Sequence, residues 1–458
     1  SPPQKAAFFG CFLSGYLVHL YVFTNIIPNS DGLSRIFDPQ QMTVSGRWFL
    51  HFASYFNGFT QMPAVIGLFS VLFLALAAAL AVSLLGIRSR ALSALSGALM
   101  AAFPAVGYTF LYLFTASAYC FAIFLAVLSV SLARRGRWHW LAGCLLLACS
   151  MGTYQAYVTV AIGLSLLVIF RETLDPSASF SATLRLGVRL MLFLAAGAAL
   201  YYGILLGFLQ VKDLELLSYL GMDAASSGYP FSRLPGLLLD TYKQVAAFFF
   251  LPGSANTFTS GWMAVLDLAA LALGGGCFLL CMGQEGLWRA RWRPLGGLAM
   301  LALLPLGINF GQILSPWSAP TPLMKYAFVL VYLAVVLLAD RALPAAGAGA
   351  AVLRRRGWPI SQEAVLEGMK KAVWPARMEL ARRDPDVILD GGHNPQCVDA
   401  LAAALESLYP GRKLIFLSGV LADKDWHSMF RRVLPLAKAF VAVTPDSPRA
   451  PSSPSMAT

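Results

Sequence analysis

Long apolar runs recur along the first 340 residues of this 458-residue chain, and they limit its fold more than any other feature. A helix needs about 20 apolar residues to cross the hydrocarbon core of a bilayer. Clear runs of this kind cover residues 6–26, 62–87, 116–133, 188–209, 262–282, 295–313 and 324–340. Shorter or interrupted runs cover residues 91–108, 138–150 and 153–170. The first 340 residues therefore predict a polytopic α-helical membrane protein with about ten spans.

The composition excludes an ordinary water-soluble protein. Hydrophobic residues make up 58% of the chain and charged residues only 12%, whereas about 25% charged residues is usual. The net charge is +12, but the basic residues stand in short clusters between the apolar runs, which is not the pattern of a nucleic-acid surface. We expect the seven cysteines to be small apolar packing residues rather than metal ligands.

The basic clusters predict an orientation. Lysines and arginines are enriched in cytoplasmic loops, and in a ten-span arrangement the clusters all fall on one side of the membrane. These clusters are Lys5, Arg88/Arg90, Arg134/Arg135/Arg137, Arg171/Arg185, Arg289/Arg291/Arg293 and Arg341/Arg354–Arg356. Both termini are then cytoplasmic. The long loops 27–61 and 210–261 lie on the outer side, and the second of them predicts interfacial helices joined by a turn.

The first outer loop holds residue types suited to group transfer. Asp31 follows the first span directly, and Arg35, Asp38 and Arg47 come after it. A carboxylate at this position can accept a proton from an attacking hydroxyl, and arginines can bind a phosphate leaving group through paired hydrogen bonds. Two alternatives stay open: a solvated loop with incidental charges, and a divalent cation bound by Asp31 and Asp38.

Two short motifs carry a family resemblance over roughly residues 5–340. Gly46-Arg47-Trp48 in the first outer loop and Met151-Gly152-Thr153-Tyr154-Gln155-Ala156-Tyr157 resemble segments of the membrane glucosyltransferases that modify O-antigen. The resemblance implies a membrane-embedded glycosyltransferase in a bacterial inner membrane. Its expected reaction moves a hexose, glucose, from a polyprenyl-phosphate donor to a cell-envelope glycan on the outer face.

The resemblance also implies roles for particular residues. Asp31 and Asp38 are the catalytic candidates, and the candidates for binding the donor phosphate are Arg35, Arg47 and Lys325. Trp48, Tyr154 and Gln155 are the candidates for contacting the sugar or the acceptor. Four of these residues also have a purely structural interpretation. Trp48 would be an interfacial belt residue, Tyr154 and Gln155 helix-packing residues, and Lys325 a snorkelling anchor.

Residues 341–458 predict a separate cytoplasmic domain. After the last apolar run, the pattern predicts helix 361–372, strand 386–390, helix 395–408, strand 413–419, helix 425–437 and strand 439–443. Alternation of this kind is typical of a small α/β domain with a parallel sheet. The sequence thus divides at Asp340-Arg341 into two regions, 1–340 and 341–458.

Four motifs carry a second resemblance, over about residues 343–450. They are Asp390-Gly391-Gly392-His393-Asn394-Pro395, Trp374-Pro375-Ala376-Arg377-Met378-Glu379, Asp423-Lys424-Asp425 and Asp446-Ser447-Pro448-Arg449-Ala450. In this order they resemble the C-terminal domain of folylpolyglutamate synthase/dihydrofolate synthase, a relative of the Mur ligases. The resemblance implies that Arg377, Asp390 and His393 are vestiges of a nucleotide-facing site.

Ligase activity is not expected from this region alone. The family makes amide bonds with ATP and needs a glycine-rich phosphate loop of the GxxGKGS kind, and this sequence contains no such run. ATP and Mg²⁺ are therefore expected only if a partner chain completes the site. Two alternatives to a glycosyltransferase remain: a folate-ligase fragment of that kind, and a polytopic transporter. A transporter predicts inverted repeats and charges near the membrane midplane, where only Asp267 is a candidate.

Overall fold

A computed structural model gives the structure of the protein and describes residues 1–25, 27, 43–57, 62–216, 231–253, 259–284, 287–314, 321–355, 378–420 and 424–443. The chain forms two compact units, Ser1–Val352 and Leu353–Thr458. The helix that contains Asp340 and Arg341 continues to Arg355. Each unit is described by itself.

The first unit is helical. Its helices are α1 (Pro2–Thr24), α2 (Leu50–Ala53), α3 (Pro63–Leu85), α4 (Arg90–Ala102), α5 (Pro104–Leu111), α6 (Leu113–Ala133), α7 (Arg137–Thr153), α8 (Val158–Thr173), α9 (Phe180–Val211), α10 (Leu234–Phe250), α11 (Gly261–Gln284), α12 (Trp292–Ile308), α13 (Phe310–Leu314) and α14 (Val329–Arg355). Short 3₁₀ turns cover Thr43–Ser45, Ser54–Asn57, Gln155–Tyr157, Phe231–Arg233, Leu287–Arg289 and Pro322–Phe328.

Local sequence explains where several of these helices begin and end. Proline stands in the first turn of α1, α3 and α5, where its missing N–H costs no hydrogen bond. Gly86 ends α3 in the left-handed conformation with φ of 68°. The Ser89 hydroxyl accepts the N–H of Leu92 and caps α4. Phe103 is extended, as expected for a residue before proline, and so separates α4 from α5.

The structure does not confirm the predicted number of membrane spans. All ten predicted segments lie on helices, but among the described residues eight helical segments are long and apolar enough to cross a bilayer. Helices α7 and α12 have 17 residues each. At 1.5 Å per residue each is about 25 Å long, less than a hydrocarbon core of about 30 Å. The count of ten therefore stays a prediction. Helix α10 lies in the loop predicted to contain interfacial helices.

Small residues let the first helices approach closely. Helix α1 packs along α3 and α4. A side-chain carbon on Gly97 of α4 would collide with the carbonyl oxygen of Ala7, and one on Gly10 would collide with that of Ala94. In a bilayer such close backbone contacts replace the hydrophobic driving force that water provides. The glycines therefore hold α1 against the rest of the bundle.

The arginine-rich loops meet at one end of the helical unit. The Asp340 carboxylate near the end of the last span accepts the backbone N–H of Arg88 at 2.9 Å and of Ser89 at 2.8 Å. Glu172 forms ion pairs with Arg134 and Arg171. Loops separated widely in the sequence are thus joined by charged contacts, as the predicted clustering of basic residues on one side requires.

The second unit is small. It contains β1 (Glu379–Arg382), β2 (Val387–Leu389), α15 (Pro395–Leu408), β3 (Leu414–Ser418), α16 (Trp426–Val433) and β4 (Ala437–Ala442). Strands β3 and β4 pair in parallel, whereas β1 and β2 form a separate antiparallel pair. One continuous parallel sheet is therefore not confirmed, because Asp384 and its neighbours turn the chain back between β1 and β2. The predicted helix 361–372 lies outside the described residues.

Candidate functional site

The candidate residues of loop 27–61 are only partly described. Asp31, Arg35 and Asp38 lie outside the described residues. The description resumes at Thr43, so Arg47 and Trp48 are placed. The Thr43–Ser45 turn leads to Gly46, which has φ of 76°, a conformation that favours glycine. The chain then enters α2.

Trp48 packs against the second motif. Its indole is 7% exposed and stacks on Phe208 with the ring centroids 5.9 Å apart. A side-chain carbon on Gly152 would lie 2.6 Å from Trp48 Cε2, so only glycine leaves room for the indole there. The backbone N–H of Phe49 donates to the Gly152 carbonyl at 2.7 Å. The two motifs identified in the sequence therefore contact each other directly.

Gln155 fixes the same loop through hydrogen bonds. Its Nε2 donates to the Ser45 carbonyl at 2.7 Å and to the Tyr201 hydroxyl oxygen at 3.1 Å. The Tyr201 hydroxyl in turn donates to the Gly46 carbonyl at 3.1 Å. This closed set of bonds ties the loop to the start of the 155–157 turn and to α9. For Gln155 the geometry favours packing and positioning of the loop.

Arg47 lies among tyrosines. Its guanidinium carbon is 4.8 Å from the centroid of the Tyr154 ring, and its Nη1 donates to the Tyr119 hydroxyl oxygen at 3.2 Å. The Tyr119 and Tyr154 rings stack at 4.7 Å. A cation over an aromatic face is stabilised by the ring quadrupole, so these rings hold the arginine in one place. Arg47 remains partly exposed.

Lys325 lies in a turn that borders the Gln155–Tyr157 turn. It is buried in the Pro322–Phe328 turn, with its Nζ 5.9 Å from the Phe248 ring centroid. Its φ of −93° and ψ of 15° depart from helical values and mark a kink before α14. The turn contacts both the Gln155–Tyr157 turn and α5. The described candidates of the first unit therefore gather at the end of the bundle opposite the arginine-rich loops.

Sequence reasoning missed two residues of this site. The sequence identifies neither Tyr119 nor Tyr201 as a site residue. Each lies inside an apolar helix, where a tyrosine is an ordinary packing residue. Their contacts reach Arg47 and Gly46 across 72 and 155 positions of the chain. No local pattern in the sequence signals such a pairing.

A buried carboxylate lies elsewhere in the first unit. Asp267 of α11 is 9% exposed and accepts the Tyr332 hydroxyl at 2.7 Å. A hydrogen bond of this kind satisfies a polar group that would otherwise be costly inside a membrane. Among the described residues no group of three His, Cys, Asp or Glu side chains is arranged to hold a metal ion.

The motif of the second unit forms a compact turn. Asp390 Oδ2 accepts the backbone N–H of Met378 at 2.9 Å, and its Oδ1 accepts that of Gly392 at 2.8 Å. His393 is exposed, with Nδ1 3.1 Å from the Gly391 carbonyl oxygen. Asn394 caps α15 by accepting the N–H of Cys397. Both Asp390 oxygens thus shape the backbone. Arg377 lies outside the described residues.

Two family models match the chain, each over a different region. The family model described as glucosyl transferase GtrII matches residues 20–338. The model described as Mur ligase, glutamate ligase domain, matches residues 376–458. No solved structure matches the chain.

The curated relatives include folate ligases that align with about a fifth of this chain. A folylpolyglutamate synthase of Lacticaseibacillus casei is 32% identical over 94 residues, which is 20% of this chain and 22% of that protein. A dihydrofolate synthase/folylpolyglutamate synthase of Bacillus subtilis is 36% identical over 91 residues, 20% of this chain and 21% of that protein. The chain therefore spans about a fifth of the length of these relatives.

Proposed function

This chain belongs to the glucosyl transferase GtrII family, and from that premise we propose that it transfers glucose from a polyprenyl-phosphate donor to a cell-envelope glycan. The conclusion that it is a membrane glycosyltransferase rests on the family and on the eight helical segments of the described residues that are long and apolar enough to span a bilayer. The donor, the acceptor and the residue roles below are proposals.

The contacts of the Gly46-Arg47-Trp48 segment support the proposal beyond what the family match alone implies. The Gly46-Arg47-Trp48 segment at the end of the first outer loop is held by Gly152 and Gln155 of the second motif. The loop that contains Asp31 therefore starts at the end of α1 and finishes at an arginine whose position is fixed by two tyrosines. Transfer from a sugar phosphate needs both a base and a fixed positive charge, and this stretch of sequence carries a candidate for each.

The proposed reaction uses the loop as follows. The Asp31 carboxylate, with Asp38 as a second acid, accepts the proton of an acceptor hydroxyl as its oxygen attacks the anomeric carbon. The bond between that carbon and the phosphate oxygen breaks, and polyprenyl phosphate leaves. Arg47, Arg35 and Lys325 stabilise the negative charge on the departing phosphate. Burial of Trp48 supports a packing role for it, and sugar contact by Tyr154 stays a prediction.

The proposed orientation puts this site on the outer face of a bacterial inner membrane, with both termini in the cytoplasm. The contacts of Asp340 with Arg88 and Ser89, and of Glu172 with Arg134, support the grouping of the basic loops at one end. Arginine-rich loops are characteristic of the cytoplasmic side. The Arg47 end is then the outer end.

We propose that the second unit does not ligate by itself. It corresponds to about a fifth of the folate ligases it resembles, and both oxygens of Asp390 bond to backbone within its own turn. A partner chain with a phosphate loop, together with ATP and Mg²⁺, would be needed to complete a ligase site.

A transfer assay in membranes tests both parts of the proposal. The donor is a radiolabelled polyprenyl-phosphate glucose, and the proteins are the full chain and a truncation after Val352, which retains Asp340 and its contacts. We expect equal transfer by both proteins. Transfer lost by the truncation would give the second unit a role, and no transfer by either protein, with folate-dependent ATP hydrolysis once a phosphate-loop partner is added, would favour the ligase alternative.

Asp31→Asn tests the proposed base in the same assay. We expect at least a thousandfold loss of transfer, with unchanged expression and elution on size exclusion, because the amide cannot accept the proton. Asp213→Asn, an exposed position at the end of α9, is the control and should retain full activity. Full activity of Asp31→Asn would remove Asp31 from the mechanism, and loss of wild-type transfer in a chelator would indicate a divalent cation.

A further inference from the structure

A groove between α7 and α9 combines an apolar floor with arginines at one end. Its volume is about 640 Å³. It lies at the start of both helices, whereas Gly152 lies at the other end of α7. Arg137 and Thr153 are 16 positions apart on α7, which corresponds to about 24 Å at 1.5 Å per residue. The groove is therefore distinct from the proposed transfer site.

Three arginines line the polar end of the groove: Arg137, Arg185 and Arg189. Arg189 is committed to backbone, since it donates to the carbonyl oxygens of Ala133 and Arg135 near the end of α6. Arg185 donates its Nε to the Ser181 carbonyl at 3.3 Å. Arg137 lies over the ring of its neighbour Trp138.

No described acidic side chain balances the positive charge at the arginine end of the groove. Among the described residues, Arg137 and Arg185 form no ion pair, and no Asp or Glu lines the groove. Arg185 and Arg189 are also four residues apart on one helix face, where like charges repel. A bound anion would relieve this repulsion. Guanidinium groups suit phosphate in particular, because they donate paired hydrogen bonds to its oxygens.

The rest of the groove suits hydrocarbon. Leu184, Val188 and Leu192 of α9 recur every four residues along one face, opposite Trp140 and Leu141 of α7. The row from Leu184 to Leu192 is about 12 Å long, close to one leaflet of a hydrocarbon core about 30 Å thick. Trp140 donates its indole N–H to the Arg189 carbonyl at 3.4 Å, which fixes it at the boundary between the polar and apolar parts.

We propose that this groove is a binding site for an anionic glycerophospholipid. Its phosphate lies between Arg137 and Arg185, and an acyl chain follows the apolar row of α9. Basic pockets between membrane helices on the cytoplasmic side recognise anionic headgroups by this chemistry. The occupant is a membrane lipid rather than the sugar donor, because the groove lies at the end of the helices away from Arg47.

Lipid retention measured by native mass spectrometry tests the site. The full chain is released from nanodiscs that contain equal amounts of phosphatidylglycerol and phosphatidylcholine with identical acyl chains. We expect at least tenfold preferential retention of phosphatidylglycerol, falling below twofold in Arg137→Gln/Arg185→Gln. The matched control, Arg90→Gln/Arg291→Gln, removes two exposed arginines elsewhere and should keep the preference. Arg189 is left intact because it bonds to α6.

A second pair of variants tests the apolar part. Val188→Trp fills the groove and should reduce retention of both lipids, whereas Met191→Trp, on the exposed surface of α9 outside the groove, should not. Equal retention of the two lipids by the wild type, or an unchanged preference in the double arginine variant, would overturn the proposal. So would displacement of the lipid by millimolar inorganic phosphate, or stronger retention of polyprenyl phosphate than of phosphatidylglycerol.

Discussion

The Gly46-Arg47-Trp48 segment and the Asp390–Pro395 turn both stand out as short motifs, but the chain holds them in different ways. Around the first, hydrogen bonds join residues 72, 110 and 155 positions apart. Around the second, the bonds of Asp390 and Asn394 reach residues 2, 3 and 12 positions away. The first arrangement exists only when the helical unit is assembled, whereas the second belongs to a local stretch of chain.

This difference bears on what each region can do. An arrangement built from distant elements places Arg47 accurately and loses that placement when any one element shifts. A local turn keeps its shape in a fragment, so the second unit can retain the motif of a ligase family while spanning a fifth of its members' length. Presence of a motif is therefore weaker evidence of activity in the second unit than in the first.

Among the variants that test this contrast between the two motifs, we expect Gly152→Ala to cause the largest loss of transfer. Its new carbon would lie 2.6 Å from Trp48 and force the indole and the neighbouring Arg47 to move. A displacement of about 1 Å in a catalytic group can cost about a hundredfold in rate, and we expect a loss of that size in the membrane transfer assay. Gly203→Ala is the control, because no atom lies within 4 Å of the added carbon. Equal activity of the two variants would mean that the placement of Trp48 is unimportant.

A smaller effect is expected from the hydrogen bonds of Gln155. Gln155→Leu leaves the Ser45 carbonyl and the Tyr201 hydroxyl without its amide. A buried polar group without a partner costs about 1–3 kcal/mol, and we expect about 1.4 kcal/mol of this, a tenfold loss, to appear in transfer. Tyr201→Phe removes the bond to Gly46 and should cost only a few-fold. Because the residues share one network, the double variant should lose less than the product of the single losses. Strictly multiplicative losses would show that the two residues act independently.

The smallest effect on transfer is expected from Asp390→Ala. The change removes two bonds from backbone N–H groups to a carboxylate, each worth about 1.5–3 kcal/mol. Hydrogen exchange of Met378 and Gly392 in the full chain should accelerate at least tenfold, while transfer stays within twofold of wild type. Asp399→Ala removes an exposed ion pair with Arg432 and should change neither measurement. A marked loss of transfer in Asp390→Ala would contradict the separation of the two regions.

The sequence predicted the elements better than their contacts. Apolar length placed the helices of the first region, and the α15 bounds, Pro395–Leu408, were predicted as observed. The break between α4 and α5 at Phe103 and the extension of α9 back to Phe180 were not predicted, because apolar content alone does not mark a helix end in a membrane. The role of Tyr201 was missed for a different reason: its partner at Gly46 is set by tertiary packing.

The bond between Asp340 and the start of α4 has a consequence for biosynthesis. Its partners, Arg88 and Ser89, are separated from it by 252 and 251 residues. At about 5–20 residues per second, roughly 13–50 s of translation pass between the emergence of Arg88 and that of Asp340. During that interval the loop that contains Arg88 lacks its carboxylate partner. The last helix therefore completes the bundle late, and these hydrogen bonds form only after the ribosome has translated the end of the membrane region.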